Sequence, residues 1–165
     1  MTSETVQIVP YRAADRAAVD AFNAALQEFE RQFYPELRPG HEMGPYTDLI
    51  LRKSAAPNGL VLIAKAGSRS VGFICGWIDE GDEVDELLVR ADERRRAYVS
   101  DLFVEADWRR RGIAHRLLGE FEAEMSRRGC RRVKIASRGE NGGALRCYED
   151  YGFRPFVVIF DKPTR

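Results

Sequence analysis

The chain has 165 residues, a length that fits one domain with a real core. Its 26 basic and 26 acidic residues cancel to a formal net charge of +0, so no global field draws it to nucleic acid or to a membrane. Hydrophobic residues at 44% and charged residues at 32% are ordinary for a soluble globular protein.

Residues 6–11 predict a short first strand. Between 15 and 32 the apolar residues Val19, Phe22, Leu26 and Phe29 recur at steps of three and four, with Phe33 next, which predicts an amphipathic helix. The run Tyr34-Pro35-Glu36-Leu37-Arg38-Pro39-Gly40 breaks it. A second helix is expected over about 46–53, and Pro57-Asn58-Gly59 ends it. Residues 60–66 and 70–78 read as two strands joined by the tight turn Gly67-Ser68-Arg69, a hairpin signal. Residues 79–96 form a connection, acidic first and arginine-rich at its end, with a short helix around 85–89. A strand over 97–104 and a turn over 105–108 follow.

From 112 to 128, Ile113, Leu117, Leu118, Phe121 and Met125 make a stripe of period 3.6, and Gly129 stands where a helix C-terminal glycine belongs. A strand is expected over 132–137. Asn141 can cap a helix running to Tyr151, Gly152 closes it, and 154–161 reads as a final strand. The order is β-α-α-β-β-β-α-β-α-β. A hairpin followed by βαβ units implies a mixed sheet with helices on its faces. No repeat or internal linker divides the chain, so 1–165 is expected to be a single domain.

Cys75, Cys130 and Cys147 are odd in number and contain no C-x-x-C pair. With His41 and His115 as the only histidines, ligands for a metal site are too few, and none is expected. The cysteines read as reduced thiols, mostly core filler, in a cytoplasmic protein. Met1-Thr2-Ser3-Glu4-Thr5 lacks the blocks of a signal peptide, and apolar runs fall below the ~18 residues that span a bilayer.

Chemistry concentrates where a strand meets a basic, glycine-containing loop and a helix start: Arg109-Arg110-Arg111-Gly112-Ile113-Ala114. The first turn of a helix offers free N–H groups and about half a positive charge. Gly112 and Ala114 leave the backbone open to a pyrophosphate, and three arginines add charge. No G-K-[ST] follows, and the glycine spacing excludes the dinucleotide fingerprint. Taken alone, the loop reads equally as a solvated basic turn.

The stretch Leu102-Phe103-Val104-Glu105-Ala106-Asp107-Trp108-Arg109-Arg110-Arg111-Gly112-Ile113-Ala114 resembles the acetyl-CoA signature of the GCN5-related N-acetyltransferase superfamily, Q/R-x-x-G-x-G/A after an apolar strand. Asn141-Gly142-Gly143-Ala144-Leu145-Arg146-Cys147-Tyr148-Glu149-Asp150-Tyr151-Gly152-Phe153 resembles that family's second motif, N-x-x-A-x-x-x-Y-x-x-x-G-F. The resemblance is sharp over about 98–160. It implies an α+β fold (α/β/α), with a mixed, mostly antiparallel central sheet and helices on both faces. Residues 1–59 would supply the acceptor side, and 60–165 the sheet and the acetyl-CoA core.

The resemblance further implies that the main chain of Leu102, Phe103 and Val104 pairs with the pantetheine arm. Residues 109–114, including Ile113, would hold the pyrophosphate, with Asn141, Ala144 and Tyr148 adding cofactor contacts. Tyr148 matches the general acid of many members: a phenol near pKa ~10 can protonate a leaving thiolate near ~8.5. Members often carry a glutamate base on the fourth strand. Here Tyr98, Val99, Ser100 and Asp101 offer no glutamate, so Asp101 is the nearest carboxylate and a water chain is the alternative. By alternation Asp101 shares a face with Val99 and Phe103 unless a bulge intervenes. The acceptor would be a small-molecule or peptide amine, in a pocket shaped by Phe29, Phe33, Tyr34 and Tyr46. A homodimer is common among such folds.

His115 reads as a surface or phosphate-proximal residue, and Trp77 and Trp108 as packing. The acidic run from Asp79 to Glu86 reads first as a solvated loop and second as an attractant for a cationic amine. A non-catalytic acyl-CoA-sensing module of the same fold is the rival reading. Nucleic-acid binding through Arg94-Arg95-Arg96 and Arg109-Arg110-Arg111 is disfavoured by the neutral total and the lack of stacking aromatics.

Overall fold

The computed structural model describes residues 5–164. Residues 1–4, most of the stretch read for a leader, lie outside them. Five strands form one sheet in the order β1 (Val6–Pro10), β2 (Gly59–Ala66), β3 (Arg69–Asp79), β4 (Arg96–Val104) and β5 (Val133–Ile135). The first four are antiparallel neighbours, and β5 alone is parallel, to β4. The sheet is thus mixed and mostly antiparallel, as expected.

Alternation along β2 shows how two layers attach. Val61 and Ile63 face one side, with Val19 and Phe22 of α1 (Arg16–Glu30) and Ile50 and Leu51 of α2 (Gly44–Ala55). Leu62 and Ala64 face the other, with Leu117, Leu118, Phe121 and Met125 of α5 (Ile113–Arg127), against which α6 (Gly142–Tyr151) packs. α5 buries the whole stripe that its period of 3.6 predicted, and α1 buries Val19 and Phe22 of its own. No helix among the described residues is long and apolar enough to cross a membrane.

The connection after β3 holds two short helices, α3 (Glu83–Leu88) and α4 (Ala91–Arg94), where one was expected. Four carboxylates of its acidic run, Asp79, Glu80, Asp82 and Asp85, are engaged within the chain, while Glu83 and Glu86 stay exposed. Asp82 Oδ1 caps α3, accepting from the N–H groups of Val84 and Asp85 at 2.9 Å each. Asp79 and Asp85 both pair with Arg96, and Glu80 pairs with Arg95. These carboxylates hold the arginines at the start of β4 and are therefore poorly available to an incoming amine.

Two expectations fail. The strand expected over 132–137 shortens to three residues, because β4 and β5 part after the Val99–Ile135 pair. The final strand over 154–161 does not form: residues 152–164 carry neither helix nor strand. Apolar, β-branched composition signals a strand, but a strand exists only where another backbone supplies its hydrogen bonds.

Candidate active site

The site begins at an irregularity in β4. Cys75 of β3 faces Asp101, yet the next residue, Gly76, faces Val99, so Ser100 is an extra residue on the β4 side. This bulge inverts the alternation. Val99 packs with the α5 layer, while Asp101 turns to the α1–α2 layer beside Cys75 and Phe103. The expected face shared by Asp101, Val99 and Phe103 is corrected: Asp101 keeps Phe103 and loses Val99. Gly76 permits the distortion, since a Cβ there would lie 2.1 Å from the Tyr98 carbonyl oxygen and 2.9 Å from Phe121.

The bulge has a second effect. β4 pairs with β5 through Ala97, Tyr98 and Val99, and from Ser100 onward that flank of β4 has no strand beside it among the described residues. In this unpaired stretch the main-chain groups of Leu102 face the open flank, whereas those of Phe103 turn to β3, as the bond from the Glu105 N–H to the Val71 carbonyl two residues on indicates. The Val104 carbonyl, also on the open flank, already accepts from Arg109 Nε at 2.9 Å. This bond folds the loop back onto the strand end and places the Arg109 guanidinium 5.7 Å from the ring centres of both Phe29 and Phe103. A cleft of about 630 Å³ opens here, lined by Phe22, Phe29, Phe103, Glu105 and Arg109.

The loop then passes through two left-handed residues, Arg110 (φ 61°) and Gly112 (φ 73°), before α5 starts. Left-handed backbone at an arginine costs roughly 1–2 kcal/mol, so the packing around the loop must enforce it. Trp108, buried beneath, supports the turn, and the Arg111 guanidinium lies 4.7 Å over its ring. Gly112 is the N-cap and offers no side chain, so no side-chain bond caps α5. Among the described residues, the N–H groups of Ile113, Ala114 and His115 find no acceptor. A helix start with free donors, an open approach at Gly112 and exposed arginines can take an anion.

α6 packs against α5. Asn141 is buried and caps the helix, its Oδ1 accepting from the Ala144 N–H at 3.1 Å. His115 Nε2 bonds the Cys147 carbonyl at 3.0 Å and meets the Tyr151 ring, so this histidine ties α5 to α6. Tyr148 stands edge-on to Phe153, 6.0 Å between ring centres. Burial pushes its phenol well above the usual range, and the charges of Cys147, Glu30 and Asp101 add to the rise. It therefore holds its proton firmly at neutral pH.

Asp101 is the most buried carboxylate near this centre. The Tyr46 hydroxyl donates to Oδ1 at 3.1 Å and to Oδ2 at 2.9 Å, and the Cys75 thiol lies 3.6 Å from Oδ2. Burial raises the Asp101 pKa against those bonds. A carboxyl group with elevated affinity for a proton is poised to accept one. Burial and the Asp101 charge together raise Tyr46, and Cys75 rises for the same two reasons.

Glu30, at the end of α1, is a member that sequence reasoning missed. Burial raises its pKa, Arg138 opposes that rise and Asp101 adds to it. Arg138 itself lies over the Tyr34 ring at 4.4 Å. Nothing local distinguishes Glu30 from other glutamates on the polar side of α1. What sets it apart is its charge coupling to Asp101 and Tyr148, which are distant in sequence.

The Acetyltransferase (GNAT) family matches residues 23–153, most of the chain. GCN5-related N-acetyltransferase 4, chloroplastic, of Arabidopsis thaliana is 35% identical over 95 residues, covering 55% of this chain. The match spans 33% of that curated relative's length. Among solved structures, the aminoglycoside N-acetyltransferase AAC(6')-Iy in complex with CoA superimposes with a TM-score of 0.71 at 18% identity, over 98% of this chain and 95% of that one. A putative acetyl transferase from Pyrococcus furiosus gives 0.69 at 20% identity, over 97% and 100%. A possible acetyltransferase from Clostridium difficile 630 gives 0.71 at 14% identity, over 98% and 99%. At these identities the structures establish a shared fold.

Proposed function

Since the chain belongs to the acetyltransferase (GNAT) family, we propose that it moves the acetyl group of acetyl-CoA to a primary amine by direct attack on the thioester. The observation that carries the donor side is the conjunction at β4. Its flank loses β5 after Val99, and the same strand ends in the uncapped, arginine-rich start of α5. An extended, amide-bearing arm can add to the free flank of β4 as a strand does, through the backbone of Leu102 and the N–H of Val104, since the main chain of Phe103 is turned to β3. Its pyrophosphate then meets residues 109–114, with the N–H groups of Ile113 and Ala114 aimed at it. Asn141 and Ala144, at the start of α6, complete the donor site.

Asp101 takes the proton that the ammonium must lose before attack. The neutral amine adds to the thioester carbonyl, giving a tetrahedral intermediate. Its collapse breaks the C–S bond, and Tyr148 donates its proton to the departing thiolate. The proton count balances: one leaves the ammonium for Asp101, one leaves Tyr148 for sulfur, and the second amine proton, lost as the amide forms, returns Tyr148 from phenolate to phenol, while Asp101 gives its proton to solvent. Tyr46 and Cys75 position the Asp101 carboxyl. Glu30 supplies a second carboxylate to the acceptor side, which favours a cationic amine.

Release of free thiol from acetyl-CoA, measured against amino acids, polyamines, aminoglycosides and peptide N-termini, tests the reading. At least one cationic amine is expected to drive release. Tight binding of coenzyme A with no release for any amine would leave a sensing module instead.

A further inference from the structure

Beside the Asp101 carboxyl, the sheet face that carries α1 and α2 has a second charged region. Ala97, Val99, Val133 and Ile135 turn to the α5 layer, so Tyr98 and Lys134 between them turn to the α1–α2 layer. Lys134 pairs with Tyr98 and Tyr98 with Trp77, which sets the three side chains in one row across β5, β4 and β3. The half-buried Trp77 and Tyr98 rings lie 5.7 Å apart between centres. Lys53, from the last turn of α2, holds its ammonium 4.5 Å over the Trp77 ring. At the other end of the row the Lys134 ammonium sits 4.5 Å from the Phe156 ring.

Among the described residues neither lysine forms an ion pair, and carboxylates nearby are already engaged. Asp79 and Asp85 pair with Arg96, and Glu93 pairs with Arg131 and Arg132. Burial lowers the Lys134 pKa and Arg96 adds to the fall, against the opposing charges of Asp85 and Asp79. Cations without a counter-ion at the rim of an aromatic floor attract an anion. Farther along β4, roughly 7–10 Å from Tyr98 once the extra residue at Ser100 is allowed for, stands Asp101. Glu30 is coupled to it by charge. One face thus offers carboxylates at one end and free ammonium groups at the other.

We propose that Lys53 and Lys134 form a carboxylate subsite, so that the acceptor is a zwitterion. Its ammonium docks at Asp101 and Glu30, its carboxylate at the two lysines, and its apolar chain lies on Trp77 and Tyr98. This rests on the transfer reading above and names the acceptor of that reaction. An α-amino acid is too short, since its charges lie about 3 Å apart, whereas an ω-amino acid of about six carbons spans about 8 Å when extended. A polyamine or an aminoglycoside would bring further ammonium groups against Lys53 and Lys134, where like charges repel.

Calorimetry with N-acetyl-ε-aminocaproate, the product of such an acceptor, and with its uncharged primary amide tests the subsite without turnover. The wild type should bind the carboxylate about tenfold or more tightly than the amide. Lys53→Gln combined with Lys134→Gln should bring the two affinities level, while Lys53→Arg combined with Lys134→Arg should keep them apart. Circular dichroism checks that both double variants are folded. Equal affinities in the wild type, or a preference that survives the glutamine changes, would overturn the proposal. Thiol release from acetyl-CoA with ε-aminocaproate against its amide should show the same ratio in kcat/KM. A lysine-dependent preference without release for any amine would leave the subsite standing and remove the transfer reading instead.

Discussion

Tyr46 donates its hydroxyl to Asp101 Oδ2 at 2.9 Å across 55 residues of chain. This bond favours the ionised carboxylate, while burial favours the protonated one, and burial prevails. Tyr46→Phe removes the opposing bond, so the Asp101 pKa should rise further. The acid limb of the kcat/KM profile should then move to higher pH by about one unit, the scale of one hydrogen bond to a charged group. A pH-rate profile of wild type and variant checks this.

Asp101→Asn should lower kcat/KM by roughly 10²-fold or more, as loss of a general base does. It should also stabilise the fold at neutral pH. With the folded pKa above the unfolded one, the native state holds the proton more tightly, so stability falls as pH rises from the unfolded value through the folded one. The asparagine escapes that loss. Thermal unfolding should show the variant's advantage at pH 7 and its shrinkage under acid conditions.

Tyr148→Phe keeps the ring that packs on Phe153 and deletes the acidic proton. Turnover should fall by about 10²-fold, with coenzyme A affinity nearly unchanged. Pre-steady-state thiol release and calorimetry separate the two effects. Wild-type turnover would remove Tyr148 from the reaction.

Gly112→Glu should abolish coenzyme A binding. A Cβ there meets nothing within 4 Å, so the side chain has room, and its main structural effect is the strain of φ 73°. Gly112→Asn carries similar strain with no charge, and asparagine tolerates that conformation best among side-chain-bearing residues. Calorimetry should show that the asparagine variant retains binding and the glutamate variant does not.

Glu30→Gln should raise KM for cationic acceptors by about tenfold, with a smaller effect on kcat and none on coenzyme A affinity. Steady-state kinetics with acceptor and donor varied in turn distinguishes this from a general loss of structure.

The elements of the proposed donor side were legible in the chain because their parts are contiguous. The arginine–glycine loop, the stripe from Ile113 to Met125 and the Asn141 cap each act within a turn or two of themselves, so their residue types declare them. On the proposed acceptor side Tyr46 and Asp101 were legible singly, but their bond and their grouping with Cys75 and Glu30 were not, because the four come from separate elements that meet only on folding.

By itself the sequence determined the long helices α1 and α5, the hairpin of β2 and β3 and the capped start of α6, since periodicity, turns and helix termini are local properties of a chain. The tertiary structure decided the rest. One extra residue at Ser100 sent Asp101 to the acceptor face, a choice that depends on how β3 registers against β4. The short β5 left the β4 flank unpaired beyond Val99. Residues 156–160, a strand by composition, found no ladder within the chain, because a strand's hydrogen bonds are made with a neighbour and never with itself.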